Sequence, residues 1–252
     1  MIDYIFGEEY TLPSLGKVYG DRAVNPHIKL RSMTTNEEMK RLNPSDKPYK
    51  TMADIIDDCL VEKPGISAYD MCVGDYQFLM YKLRVVTYGP DYNIQCKCPY
   101  CLSISDETVN LDELPVMEYN EEVEKNLEFD LPKTKHHIKL RMQTPRMLDE
   151  VSRKAREFNK KAKQFDGDSA FLFLLKAVIA EIDNEKPDQI MVEQWIRELP
   201  AADSNYIKRK AQKLMDSIGV ENTLEIHCPV CGLSNESPFR ISADFFEPDI
   251  ED

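Results

Sequence analysis

Two short cysteine pairs constrain this chain more than any other feature. They read Cys98-Pro-Tyr-Cys101 and Cys228-Pro-Val-Cys231, and each lies at a turn between two strand-like runs. Together they supply four thiolates, the ligand count of a closed, tetrahedral structural zinc site. Because the pairs lie 130 residues apart (228 − 98), a shared Zn²⁺ would join one half of the chain to the other. The pattern indicates a metal-braced scaffold or interaction protein before it indicates an enzyme.

Other interpretations of these cysteines stay open. The two turns could be degenerate, with reduced cysteines and no metal. A thioredoxin-like redox motif is a weaker interpretation, because neither pair opens a helix in a βαβ pattern. Cys96 and His227 lie beside the pairs, but we expect Cys96 to pack as a strand residue and His227 to be an exposed spacer, so a ligand role is the minority interpretation for both.

Composition and charge argue against a nucleic-acid-binding, a secreted and a membrane-spanning protein. The chain has 252 residues and a formal net charge of −13, which argues against non-specific binding to nucleic acid, since that binding rests on Lys and Arg neutralising phosphates. The start has no basic segment followed by an apolar one, so no secretory signal is expected. The most apolar run, Ala170 to Ile182, is too short to cross a membrane and is predicted to be a buried core helix that Asp168 caps. Seven cysteines then suggest a reducing compartment, and Cys59 and Cys72 are predicted to be buried.

The sequence contains signs of an internal duplication. The run His27-Ile-Lys-Leu-Arg31 recurs unchanged as His137-Ile-Lys-Leu-Arg141, and a Leu-Pro pair precedes each copy. Residues around the two cysteine pairs match at a constant offset of 130, whereas the offset at the two repeated runs is 110 (137 − 27). The second copy therefore carries about 20 additional residues in its middle. A chance match between unrelated strands is the alternative.

These observations predict an α+β fold made of two diverged tandem repeats, each a strand, helices and a zinc-knuckle hairpin, which a shared four-cysteine site joins. We expect a first repeat at 1–115, an acidic linker at 116–130, a second repeat with extra helices at 131–243 and a loosely held acidic tail at 244–252. The predicted metal ligands are Cys98, Cys101, Cys228 and Cys231, and the predicted cofactor is structural Zn²⁺.

A basic helix is also predicted, from Arg146 to Lys163. On an acidic protein it is either a solvated face, which we favour, or a docking surface for an acidic partner. No catalytic motif is present: the sequence has no GxGxxG, GxxxxGK[ST], HExxH or GxSxG. We therefore expect no enzymatic activity.

The order of several short motifs resembles a known family. These motifs are Leu-Pro-Ser-x-Gly-Lys at 12–17, Ile-x-Leu-Arg-x-Met-Thr-Thr-x-Glu-Glu at 28–38, Val-Gly-Asp at 73–75, Tyr-Gly at 88–89 and then Cys-Pro-x-Cys. In this order they are similar to the baseplate hub proteins of T4-like tailed bacteriophages. The resemblance covers about the first 115 residues, and the internal repeat extends it to the second half of the chain. Within that group the hub assembly catalyst is the nearest likeness and the hub subunit the next.

The resemblance implies a non-enzymatic assembly factor that promotes formation of the baseplate central hub. Its partners would be other phage baseplate hub proteins, with no nucleic acid and no membrane, and it would act in the host cell cytoplasm. Two alternatives stay open: a structural hub subunit retained in the virion, and a zinc-ribbon protein that binds nucleic acid in transcription. Charge argues against the latter, because Asp106, Glu107 and Glu236 follow the cysteine pairs, where a nucleic-acid module would carry basic residues.

Overall fold

The computed structural model describes residues 5–161, 167–221, 223–239, 241 and 245–247, except for the side chain of Gln189. Within them the fold is mixed α/β, with eight helices and several small sheets. The first elements in chain order are β1 (Phe6–Thr11), β2 (His27–Arg31), α1 (Thr35–Leu42), α2 (Pro48–Cys59), α3 (Val73–Tyr88), β3 (Asp91–Lys97) and β4 (Ile104–Asn110). The remaining elements are β5 (Val116–Met117), α4 (Glu121–Leu127), β6 (Glu128–Asp130), β7 (His137–Leu140), α5 (Pro145–Lys161), α6 (Ser169–Val178), β8 (Ile179–Ile182), α7 (Gln189–Glu198), α8 (Ala201–Met215), β9 (Gly219–Val220), β10 (Thr223–His227) and β11 (Ser234–Pro238).

Local sequence signals explain where several helices begin. Thr34 caps α1 in a capping box with Glu37, and Asp168 caps α6 by accepting hydrogen bonds from two backbone N–H groups, as predicted. The predicted core helix ends earlier than expected, at Val178, because residues 179–182 leave the helix and pair as β8 with β7.

In the described part of the chain, no helix has both the length and the apolar character that a membrane span requires.

The antiparallel pairs β1–β2 and β6–β7 have the same cross-strand register. In each pair a Glu lies opposite a Lys, an aromatic residue opposite an Ile, and a polar residue opposite a His. The partners are Glu9–Lys29, Tyr10–Ile28 and Thr11–His27 in the first pair, and Glu128–Lys139, Phe129–Ile138 and Asp130–His137 in the second. The next strand partner also corresponds, because Leu30 forms an isolated bridge with Leu60 and Leu140 pairs with Ile179.

Two buried carboxylates fix the turns that follow the Leu-Pro pairs. The Ser14 N–H and hydroxyl donate to the Asp75 carboxylate at 2.9 and 2.5 Å. The Asp203 carboxylate accepts from the N–H groups of Lys133 and Thr134, both at 2.9 Å, and from the Thr134 hydroxyl at 2.8 Å. Each acidic residue is the third of its helix, α3 or α8. Both helices are thereby tied to the hairpin that opens their half of the chain.

The buried apolar residues form two clusters. One is built mainly from residues between Leu12 and Leu114, with Val220 and Phe239 added, and the other mainly from residues between Val123 and Ile218. The end of the chain returns to the first cluster: Phe245 and Phe246 are buried there, so this part of the tail is not loosely held as expected, while 244 and 248–252 lie outside the described residues. Residues 116–130, predicted to be a linker, contain β5, α4 and β6.

Candidate metal centre

The two cysteine turns have the same backbone geometry. The first lies between β3 and β4, the second between β10 and β11. In each turn the N–H of the first cysteine, Cys98 or Cys228, donates to the carbonyl five residues later, at 2.9 and 3.0 Å respectively. The N–H four residues later donates back to the carbonyl of that cysteine, at 3.0 and 2.9 Å. This ring of bonds directs both sulfurs of a pair to one side of its turn.

The residue after each pair lies in the left-handed region of backbone space. Gly232 has φ +72°, and Leu102 has φ +61°. The leucine makes the first turn depart from the expected glycine pattern in sequence, yet its backbone follows the same path. A side chain in this conformation costs about 1 kcal/mol, which the surrounding turn must offset.

The structure brings the two cysteine pairs together, as the sequence predicted. The four sulfurs of Cys98, Cys101, Cys228 and Cys231 all lie within 4.8 Å of one another. Across the two turns, the Cys98 and Cys231 sulfurs are 3.7 Å apart and the Cys101 and Cys228 sulfurs are 3.6 Å apart. These separations exclude disulfides, whose S–S bond is about 2.05 Å. They match the edge of a tetrahedron with Zn–S bonds of about 2.3 Å, which is about 3.8 Å, so the four thiols fit a tetrahedral metal.

Ser103 contacts sulfurs from both turns. Its hydroxyl oxygen lies 3.0 Å from the Cys101 sulfur and 3.3 Å from the Cys228 sulfur. Together with the N–H groups of Cys231 and Val230, this hydroxyl lowers the pKa of Cys228 to about 6, and it also lowers the pKa of Cys101. Hydrogen bonds to the thiolate favour the charged form, which is the form that binds metal. Sequence reasoning missed Ser103; a hydroxyl residue two positions after a CxxC pair is the signal that could have identified it.

The neighbouring candidates lie outside the cluster. In the described residues, the group of possible metal ligands contains only the four predicted cysteines. Cys96 is a half-buried residue of β3, and the exposed His227 has Nδ1 3.2 Å from the Ser234 hydroxyl. Cys59 and Cys72 are buried, as predicted.

The outer end of the site is apolar. Cys98 and Cys228 are buried, whereas Cys101 and Cys231 are exposed. Five large apolar side chains on the two turns or at the start of β4 are at least half exposed: Tyr100, Leu102, Ile104, Val230 and Leu233. Four thiolates around one ion leave no position for a reactive water, so the arrangement suits structural bracing beneath an exposed apolar tip.

The predicted basic helix corresponds to α5, with Lys163 outside the described residues. Four of its cations have acceptors nearby: Arg146 binds Asp70, Arg153 binds Glu157, Lys154 lies near Glu150, and Arg156 donates to the carbonyl of Asp46. This charge pairing fits the interpretation of a solvated face.

Comparisons with known proteins gave one match. A search of curated proteins and a search of solved structures each found none. The model of the family described as "T4 bacteriophage base plate protein" matches residues 5–247, a span that includes every element from β1 to β11 and all four clustered cysteines. The chain therefore belongs to the T4 bacteriophage base plate protein family.

Proposed function

We propose that this protein is a non-enzymatic phage tail assembly factor that promotes formation of the central hub of the baseplate. The observation that carries the proposal is the family match over nearly the whole chain. The motif order at residues 12–38 narrows it to the hub proteins. In this role the protein acts in the host cell cytoplasm and binds other baseplate hub proteins, and it needs neither nucleic acid nor a membrane.

We also propose that a structural Zn²⁺ braces the protein. Cys98, Cys101, Cys228 and Cys231 would hold the ion, which supplies a tetrahedral cross-link between thiolates. Each hairpin alone is a two-stranded sheet, and such sheets are marginal in water. Joining their turns would hold two weak elements in one fixed arrangement. Four protein ligands also favour a role without catalysis.

A third part of the proposal is that the two halves are diverged tandem repeats. The shared register of β1–β2 and β6–β7 supports it, as do the equivalent bridges of Leu30 and Leu140. The carboxylates of Asp75 and Asp203 make the same type of contact to the turn after a Leu-Pro pair. In this scheme the extra residues of the second copy fall in two places, because the offset rises from 110 at the repeated runs to 119 at Leu60 and Ile179 (179 − 60) and then to 130 at the cysteine pairs. The second of these insertions contains α7.

A phage unable to make this chain tests the assembly role. We expect host lysates infected with such a phage to lack baseplate hubs in electron micrographs, and expression of the chain in the host to restore them. Mass spectrometry of purified virions then separates the two hub roles, because an assembly factor is absent from virions and a structural subunit is present in stoichiometric amount. Normal hubs without the chain would refute both roles.

The nucleic-acid alternative makes an opposite prediction. A zinc-ribbon reader would bind labelled duplex at physiological salt, with affinity that falls steeply as salt rises. We expect no such binding, because the surroundings of the cysteine turns are apolar and acidic.

A further inference from the structure

A groove separates the two cysteine hairpins. It encloses about 550 Å³ and is referred to below as the hairpin groove. Its lining residues come from three segments: 107–110 on β4, 113–115 after it, and 221 and 223–227 on and before β10. Ile94 of β3 and Glu236 of β11 complete it.

The strand edges of both hairpins face this groove. Four consecutive residues of β4 and all five residues of β10 line it. Since side chains alternate between the two faces of a strand, consecutive residues line one space where the edge of the strand is turned toward it. Each hairpin is a two-stranded sheet, so in the described residues the outer edges of β4 and β10 have no strand partner. Such edges present N–H and C=O groups to any extended chain that enters.

Two chemical groups supply most of the side chains that line the groove. Six are apolar: Ile94, Val109, Leu114, Pro115, Leu224 and Ile226. Five are carboxylates: Glu107, Glu113, Glu221, Glu225 and Glu236. No ion pair joins any of these glutamates to a cation of the described chain, and His227 is the only lining residue there that could carry a positive charge. The groove thus combines apolar contact surface with unbalanced negative charge.

We propose that the hairpin groove receives an extended segment of a partner baseplate protein in which Lys or Arg alternates with apolar residues. The class of partner rests on the proposed function. In an extended segment alternate side chains point in opposite directions, so beside β10 one set would contact Leu224 and Ile226 while the basic set reaches Glu225 and Glu236, which pair directly across the hairpin. Its backbone would add a strand to β4 or β10, a mode of recognition that strand edges commonly serve.

The alternatives to this occupant fit less well. A helix satisfies its own backbone groups internally and would leave both strand edges unpaired. A nucleic acid would place phosphates against five carboxylates. The extended basic segment is the occupant that uses the strand edges, the apolar side chains and the charge together.

Synthetic peptides test the inference with the full-length protein. The probe is a capped peptide of alternating lysine and valine. One control has the same composition with all lysines before all valines, and a second has alternate backbone nitrogens methylated, so that it cannot pair with a strand edge. We expect the alternating peptide to bind about tenfold more tightly than either control, because the methylated peptide loses backbone hydrogen bonds to the strand edge and the block peptide cannot place lysine and valine on alternate sides. Hydrogen exchange should slow at 107–110 and 223–227 when the alternating peptide is added. Absence of binding, equal binding of the controls, or unchanged exchange in both segments would refute the inference.

A pair of charge variants localises the site. In the groove variant, Glu225→Lys and Glu236→Lys are combined; in the control variant, Glu62→Lys and Glu185→Lys make the same change in net charge at exposed residues that do not line the groove. The groove variant should lose about tenfold in peptide affinity, since like charges then face each other, and the control variant should change it by less than about threefold. Equal losses in the two variants would show that net charge alone attracts the peptide, and the groove would then be excluded.

Capture of the phage's own baseplate proteins from infected cells separates this inference from the proposed function. If the natural chain holds identified baseplate proteins and the groove variant holds them equally well, the groove inference is wrong and the baseplate role stands. If the natural chain holds none while the peptide results are as expected, the baseplate role is wrong and the groove still binds extended basic segments. Loss of those proteins in the groove variant alone supports both.

Discussion

Replacement of Gly74 by alanine tests whether the contact between the two halves is as close as the structure indicates. Gly74 lies in the first turn of α3, two residues after Cys72. A β-carbon added there would lie 2.1 Å from the carbonyl oxygen of Ile218 and 2.6 Å from its carbonyl carbon. Ordinary van der Waals contact begins at 3.4 Å. Because the obstructing atoms are backbone, a rotamer change cannot relieve the overlap.

Two opposing terms set the size of the effect. Alanine is the better helix former, which by itself would stabilise the protein by about 1 kcal/mol. Overpacking costs about 1–3 kcal/mol, and the upper end applies here because α3 or the Ile218–Gly219 segment must shift as a whole. The net expectation is a loss of about 2 kcal/mol in the free energy of unfolding, which corresponds to a fall of roughly 5 °C in Tm for a chain of this length.

Urea unfolding, followed by far-ultraviolet circular dichroism, measures the loss. Gly20→Ala is the matched control, because its β-carbon meets no atom within 4 Å and only the positive φ of +63° is penalised. A second measurement follows release of zinc to a competing chelator. Ile218 and Gly219 lead into β10 and so to Cys228; Gly74→Ala should therefore speed the release, and Gly20→Ala should not. If Gly74→Ala is as stable as the natural protein, the gain in helix propensity offsets the cost of overpacking, and the contact with Ile218 is looser than described.

Three further outcomes are expected. The double variant Cys228→Ser, Cys231→Ser should bind no zinc in elemental analysis, where we expect one ion per natural chain. Its Tm should fall sharply, because the free energy of metal binding stabilises only the folded state. Zinc that remains in this variant would refute the shared site. Arg84→Met should cost about 3 kcal/mol in urea unfolding, since the buried guanidinium donates to three backbone carbonyls that would lose their donor; a loss under about 1 kcal/mol would contradict this. Burial opposes the charge on Glu37, but hydrogen bonds from Arg31 and from the N-cap residue of α1 lower its pKa to about 2. Its contribution to stability is therefore present above about pH 4.5 and lost as the pH falls toward 2, and Glu37→Gln should reduce the pH dependence of Tm in that window; an unchanged profile would refute the assignment.

Local signals made the four-cysteine cluster predictable from sequence. A CxxC spacing with strand-like runs on both sides specifies a hairpin whose turn presents two sulfurs, and both such hairpins are present. The convergence of the two turns is predicted by ligand count alone, since four thiolates complete a tetrahedral site. Ser103 escaped notice because its contribution depends on the position of Cys228, which is 125 residues away in sequence.

The predicted end of α6 is wrong because residues 179–182 pair with a strand that is distant in sequence. The apolar character of residues 170–182 predicts one helix, but an apolar run does not distinguish a buried helix from a buried strand by periodicity. What ends the helix at Val178 is β7, whose edge offers partners to Ile179 and the residues that follow. Likewise, the acidic character of 244–252 concealed Phe245 and Phe246, which find their place only in the core of the first half.

The buried carboxylates escaped sequence reasoning for a related reason. Asp75 and Asp203 carry no motif of their own, and their function depends on turns more than 60 residues earlier in the chain. Once these contacts are known, the sequence offers a signal that was overlooked: Glu-Tyr-Thr-Leu-Pro at 9–13 and Glu-Phe-Asp-Leu-Pro at 128–132 occupy equivalent register positions.

The placement of the four clustered cysteines bears on how this protein would act in assembly. The four cysteines come from two hairpins whose cysteine pairs lie 130 residues apart (228 − 98), so the cluster is complete only when both hairpins are in place. The groove between the hairpins exists only in that joined state, because each wall belongs to a different hairpin. A partner that contacts both walls of the groove would therefore bind the fully folded chain and would not bind chains whose halves are still apart. If so, chelation of the metal should weaken partner binding before it unfolds either core, and the two losses should be separable as chelator concentration rises.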